Sequence, residues 1–521
     1  MIEENYELNH NLKIVAKTSI FLFIGLIICK LLTYVYRIII ARQYGPEVYG
    51  FFSIALMIFG LFAMFASAGF FEGIVRYISY YRGINNKKNI KKIFKISLIT
   101  ITITSIIAGI IMFLSAEFLA VSIFHNPKLI IFLQLFSITI PLYALSQVFL
   151  ATIRAFEKIP PIILISQIIE PIIKLLILIL LILLGIDYFK SISFSFIIGF
   201  LVSLVLSYLF CKKYLFKFFI DSKESKDKKI TKELFKYSLP LLFSSVIIFI
   251  FGWTDTFLIG YLKTANEVGI YNAALPIALL LTLTPQLFNQ LFFPIINREY
   301  AKNNIKTIKE LSKQIGKWIF IINLPALFIF LFFPEVVINL LFGPTYLQGA
   351  TALIFLAIGI FLLAQSEISL NLLGMIKKSK LRFFNTFLIL IIAIVLNLFL
   401  IPMKKIWFIE NPLGITGAAI ATSITLIIYS ILMFSQAYYY LKIIPIRRKM
   451  IRVFFSCIIT IIPALILKNL ITINFLTLIL LGILFTLTYI LLIFLTKSLD
   501  KNDLMIVNMI KGRLFNSHSL G

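Results

Sequence analysis

Acidic side chains are scarce in this chain of 521 residues, where 22 Asp and Glu stand against 49 Lys and Arg. Histidine and cysteine are scarcer, at three each. Cys29, Cys211 and Cys457 lie far apart in or at the edges of apolar stretches, so neither a disulfide framework nor a zinc site is legible. His10, His125 and His518 are equally scattered and offer no ligand set for metal catalysis. Long polar stretches are missing too. The longest gap between apolar runs, about residues 212–237, holds nine cations and four anions and is too short for a domain, so it reads as a solvated linker. Basic runs such as 87–95 and 223–236 have no folded basic domain behind them, and the net charge of +27 therefore does not point to nucleic acid.

What is abundant is apolar. Hydrophobic residues make up 60% of the chain, Phe alone numbers 53, and the mean hydropathy is +1.02. Fourteen apolar stretches can be marked, at about 14–40, 48–72, 96–116, 129–152, 161–185, 191–211, 238–261, 269–296, 318–334, 349–373, 383–402, 413–440, 453–467 and 474–496. Each reaches or nearly reaches the length a helix needs to cross a hydrocarbon core. The expectation is an all-α polytopic membrane protein with 14 transmembrane helices.

The cations fix an orientation. Thirty-nine of the 49 fall at the two termini or in the gaps after even-numbered stretches. Only seven occupy the opposite gaps, namely Arg42, Lys128, Lys190, Lys263, Lys404, Lys405 and Lys468. Three more, Lys30, Arg37 and Lys174, sit inside stretches. By the positive-inside rule both termini are expected to be cytoplasmic. The first stretch follows the polar residues 1–13 and is too long for the apolar region of a cleavable signal, so it is expected to remain as a span.

The two sides of the basic linker resemble each other. Glu47 to Ala55 (EVYGFFSIA) has a counterpart in Glu267 to Ala274 (EVGIYNAA), and the basic loop Arg76 to Lys95 recurs as Arg298 to Lys317 at nearly the same offset. A period of six helices gives both halves the same topology, related by an axis along the membrane normal. The expected organisation is a six-helix lobe at 1–211, the linker at 212–237, a second six-helix lobe at 238–440, and two additional helices with a tail at 441–521. The lobes are expected to form a pseudo-twofold pair around a cavity.

The run Arg37 to Tyr49 (RIIIARQYGPEVY), the stretch Asp255 to Gly260 (DTFLIG) followed by EVGIYNAA, and Gly414 to Thr422 (GITGAAIAT) resemble the polysaccharide-export flippases. These form the Wzx-like branch of the multidrug/oligosaccharidyl-lipid/polysaccharide exporter superfamily. The resemblance covers about residues 12–495. It implies a flippase, not an enzyme, that moves a polyprenyl-diphosphate-linked oligosaccharide across the cell membrane by alternating access. It further implies lipid-linked oligosaccharide and the bilayer as partners, with glycan-assembly enzymes as candidate partners, and a lipid-tail groove formed by the last two helices.

Charges inside the apolar stretches are the candidate site residues, because ionisable groups in a membrane are expensive and face cavities or partners. Lys30 and Arg37 stand seven apart and share a helix face, which suits a diphosphate; the alternative is that Arg37 snorkels to the interface and Lys30 neutralises a carboxylate. Glu170 and Lys174, four apart and next to Pro171, either contact substrate or neutralise each other. Glu72 and Arg76 repeat that spacing and read as an interfacial pair or inner gate. Glu367 has no evident local partner. Asp255, between Thr254 and Thr256, can hold a proton or sodium or can serve helix packing. The resemblance places an Asp of this helix at a sodium site with groups from helices eleven and twelve. Asn397 and Thr422 are the candidates here, although Asn397 rests on no motif. No cofactor is expected beyond Na+ or H+ coupling.

Two rival functions remain. A membrane glycosyltransferase or polymerase would carry an acidic motif or a large domain outside the membrane, whereas the outer acids Glu117, Asp187, Glu335 and Glu410 stand singly. A cation-coupled exporter of drugs or metabolites, from the twelve-helix sister branch, is disfavoured by fourteen stretches and by cations in the first lobe. The topology has a direct check. Cysteines placed at Lys87, Lys226, Lys306 and Lys378 should be shielded from an impermeant thiol reagent applied outside, and cysteines at Asn126, Thr264 and Tyr346 should react. The reverse pattern would sink the orientation.

Overall fold

The structure, a computed structural model, describes residues 2–219, 228–470 and 475–499. Among these it is almost wholly helical, apart from a two-stranded hairpin pairing Lys405 with Glu410 and Ile406 with Ile409. Among the described residues the fourteen apolar stretches lie mostly in helix. Eleven segments of the described residues are long and apolar enough to cross a membrane. One of these, Gly25–Gly83, runs for 59 residues, nearly three times the roughly 20 that one crossing requires.

The break in that segment lies where the sequence demands one. Gly45 adopts φ 80° and ψ 178° inside the helix Ile2–Ser67, and Pro46 follows it without an amide proton to continue the ladder. The Tyr346 hydroxyl donates to the Ala41 carbonyl beside the break, at 3.0 Å. Tyr346 is fully buried and Leu347 next to it is exposed, so the labelling test set for 346 is better made at 347. Position 226 lies outside the described residues.

Two compact units emerge. The first comprises Met1–Pro276, Leu341–Ala352 and Phe383–Thr422. In it Leu129–Ala155 packs against Lys87–Glu117 and Tyr188–Phe219, with Phe132, Phe136, Phe196 and Phe200 interleaved in its interior. The second comprises Ile277–Leu340, Leu353–Arg382 and Ser423–Gly521. Its core gathers Phe292, Ile308, Ile315, Ile319, Ile368 and Leu372.

The repeated sequences build repeated local structure. Each basic loop enters its next helix in the same way. Asn85 and Asn303 both take positive φ, of 53° and 57°, and Asn86 and Asn304 then cap Lys87–Glu117 and Ile305–Phe332 by accepting from Asn89 N and Thr307 N. The related segments 46–50 and 265–269 meet within the first unit. A Cβ on Gly50 would overlap the Ala265 carbonyl, and a Cβ on Gly269 would overlap the Pro46 carbonyl. These contacts are reciprocal, since Pro46 stands to Gly50 as Ala265 stands to Gly269. Such an approach of two backbones excludes any side chain, which is why glycine is required at both positions.

Overpacking of a core typically costs about 1–3 kcal/mol, and here the obstacle is backbone, which has little room to shift. Gly50→Ala and Gly269→Ala should each lower the thermal unfolding midpoint in detergent by several degrees or abolish folded protein. Gly83→Ala, with open space around its Cβ position, should leave the midpoint unchanged.

Candidate functional site

The first unit concentrates its intramembrane charges at two places. One is Asp255, in the helix Lys228–Leu262. The Asn397 amide donates to one carboxylate oxygen at 2.9 Å. The hydroxyls of Thr422, at 2.5 Å, and of Tyr271 donate to the other. Four stretches thus converge on one carboxylate, and three charge-assisted donors, each worth about 1.5–3 kcal/mol, offset its desolvation.

Tyr271 was not legible as part of this group. It lies on the neighbouring helix Ala265–Leu279, sixteen residues on, and is paired with a second contact of the same span, in which the Asn272 amide donates to Thr256 Oγ1 at 3.1 Å. The only signal available was its place within the repeated EVGIYNAA segment. Tyr271 is fully buried, so its hydroxyl requires a partner and Asp255 supplies it.

The same helix carries Pro276, which cannot donate to the Asn272 carbonyl four residues back. Tyr49, from the partner segment of the glycine crossing, donates its hydroxyl to that carbonyl at 3.1 Å. Tyr34 donates to the Pro276 carbonyl itself. The crossing is therefore linked to the Asp255 group through consecutive residues of one short helix.

The second place is a cavity of about 210 Å³ lined by Arg37, Glu170 and Lys174 together with Cys29, Thr33 and Ser166. Glu170 and Lys174 form an ion pair at 2.8 Å, and each side chain is only 12% exposed. The Lys174 ammonium also stands over the Phe200 ring at 3.5 Å and the Phe196 ring at 4.2 Å. Gly199 makes this possible, because a Cβ there would strike the Lys174 stem. Lys30 lies outside the lining and is exposed.

Two further residues differ from the local reading, and a third does not. Glu72 pairs with Arg154 at 3.7 Å and Arg76 stands over the Tyr237 ring at 4.2 Å, so each finds a distant partner in place of the other. Glu367, in the second unit, accepts from Asn289 at 3.3 Å, and Asn289 in turn accepts from Asn371 at 2.6 Å. Its partner comes from 78 residues away and could not be seen in its own helix.

A polytopic helical protein with paired charges buried among its spans has the make-up of a membrane transporter. Similarity narrows the class. The model of the polysaccharide biosynthesis protein family matches residues 15–298, and a second, MatE, matches residues 240–399. The chain belongs to the polysaccharide biosynthesis protein family. It is 25% identical to an uncharacterized membrane protein of Methanocaldococcus jannaschii over 90% of this chain and 93% of that one. It is 24% identical to a candidate O-antigen transporter of Shigella flexneri over 80% of this chain and 96% of that one. In fold it is similar to the lipid II flippase MurJ in its inward closed conformation, with a TM-score of 0.68 at 17% identity over 90% of this chain and 97% of that one.

Proposed function

We propose that this protein is a flippase that carries a polyprenyl-diphosphate-linked oligosaccharide across the cell membrane, with fourteen spans, both termini cytoplasmic, and alternating access between the lobes at 1–211 and 238–440. The observation that carries the reading is the cavity holding Arg37 and Lys174 among apolar helices, in a chain whose family and whose Shigella relative belong to polysaccharide handling. A diphosphate is the part of the substrate least able to enter hydrocarbon. Arg binds phosphate oxygens bidentately and Lys adds a compact charge, so these groups replace part of the water the diphosphate loses. Lys30, two turns earlier on the same helix face as Arg37, meets the same group on its way. Glu367 with Asn289 and Asn371 offers carboxylate and amide groups to sugar hydroxyls. Covalent chemistry is not required of any of them.

Replacing Lys30 or Arg37 by Ala should lower surface glycan at least tenfold in cells that depend on this chain, at unchanged protein level. Lys at position 37 should restore less than Arg does at position 30, since bidentate geometry matters only where Arg is native. Normal surface glycan in both Ala variants would show that neither residue handles substrate. The rival reading, a cation-coupled exporter of drugs, draws on the MatE match. It predicts instead that deletion sensitises cells to lipophilic cations and leaves glycan intact.

Asp255, Asn397, Thr422 and Tyr271 supply a coupling-ion site in this account. Their oxygens suit Na+ or a proton, and an occupied site relieves the cost of an anionic carboxylate among apolar helices further than the three donors do. Transport in reconstituted vesicles should then depend on a sodium or proton gradient, and Asp255→Asn, which keeps size and hydrogen bonding but not charge, should uncouple it. Full gradient-driven transport by Asp255→Asn would restrict the group to packing.

A further inference from the structure

Glu170 does more than neutralise Lys174. We infer that its carboxylate is a built-in stand-in for the substrate's diphosphate, occupying the lysine in the empty protein and being displaced when a lipid-borne diphosphate arrives. The inference rests on the phosphate reading of the cavity and adds to it a specific competitor.

Three observations carry it. First, the pair lies in a cavity with Arg37, not in a closed core, so the face of Lys174 that Glu170 covers is next to space an anion could fill. Second, Lys174 is held independently of Glu170. Phe196 and Phe200 lie against its ammonium and Gly199 receives its stem, so the cation keeps its place when the carboxylate leaves. Third, the carboxylate has the means to leave. Residues Ile163–Ile169, directly before Glu170, form a π-helix, and Glu170–Leu183 then continues as α-helix with Pro171 in its first turn.

That junction matters because a π segment carries an extra residue per turn and is a frequent mark of functional sites. The ion pair depends on α spacing between positions 170 and 174. Movement of the wide turn by a few residues along the chain would rotate the two side chains apart. Thr33 and Ser166 also line the cavity and present hydroxyls near the released carboxylate, Ser166 by turning from the Ile162 carbonyl to which it now donates.

Charge decides the direction of the exchange. A lone carboxylate neutralises Lys174 but leaves Arg37 with unmatched charge in the lining, whereas a diphosphate reaches both cations with several oxygens at once. Removing one partner of a buried pair normally destabilises, since the other charge is left uncompensated. Glu170→Gln should therefore cost stability yet strengthen anion binding, a combination that a merely structural ion pair would not give.

The test uses the purified full chain in detergent, titrated with inorganic pyrophosphate and with farnesyl diphosphate by calorimetry. Alkylation of Cys29, which lines the cavity, locates the ligand, because Cys211 and Cys457 are buried elsewhere. Expected results are binding by the unmodified chain, binding at least tenfold tighter in Glu170→Gln, loss in Arg37→Gln and in Glu170→Gln/Lys174→Gln, and protection of Cys29 by either ligand. Farnesyl diphosphate should bind no more weakly than pyrophosphate; weaker binding overturns the lipid-borne assignment. Unchanged or weaker affinity in Glu170→Gln, with Arg37→Gln still losing the ligand, overturns the stand-in role and spares the phosphate reading. Absence of binding by every form, Glu170→Gln included, overturns both.

Discussion

The close crossing of the Gly50 and Gly269 backbones is the constraint on which the first unit depends. It sets the distance at which Tyr49 reaches the Asn272 carbonyl that Pro276 leaves free. It thereby fixes the short helix whose next residues, Tyr271 and Asn272, bond Asp255 and Thr256. A tyrosine hydroxyl on a helix carbonyl recurs at the other break, where Tyr346 donates to Ala41 beside Gly45. Breaks in apolar helices leave polar backbone groups that hydrocarbon cannot satisfy, and here buried tyrosines supply the missing donors.

Charge is handled by a second rule. Asp255 and Lys174, the buried charges at the first unit's two sites, are each given several partners. Asp255 receives three donors and no cation, an arrangement that leaves the carboxylate able to accept a positive ion. Lys174 receives a carboxylate and two aromatic faces. Of these partners the carboxylate is the one a competing anion can replace. In the proposed account the two sites differ in what they exchange, a cation at one and an anion at the other.

Much of this was legible in the sequence. Apolar length marked the helices, because the bilayer sets one length for all of them, and the gap between the stretches 14–40 and 48–72 brackets the break at Gly45. The spacing of Glu170 and Lys174 gave their ion pair, since four residues are one helical turn. Partners drawn from other helices were hidden. Arg154 for Glu72, Tyr237 for Arg76 and Asn289 for Glu367 depend on helix packing, which periodicity does not encode. Tyr271 was hidden for a different reason. Tyrosine in an apolar run reads as core, and only the carboxylate on the preceding helix shows what its hydroxyl is for.

The central claim is that the chain moves a diphosphate-bearing lipid from one leaflet to the other. The most direct measurement places the purified chain in vesicles with a fluorescent polyprenyl-diphosphate-linked sugar in both leaflets and adds an impermeant quencher outside. The account predicts that the inner-leaflet fraction becomes accessible in vesicles containing the protein and stays protected in protein-free vesicles. An inner fraction equally protected in both, under either a sodium or a proton gradient, would contradict it.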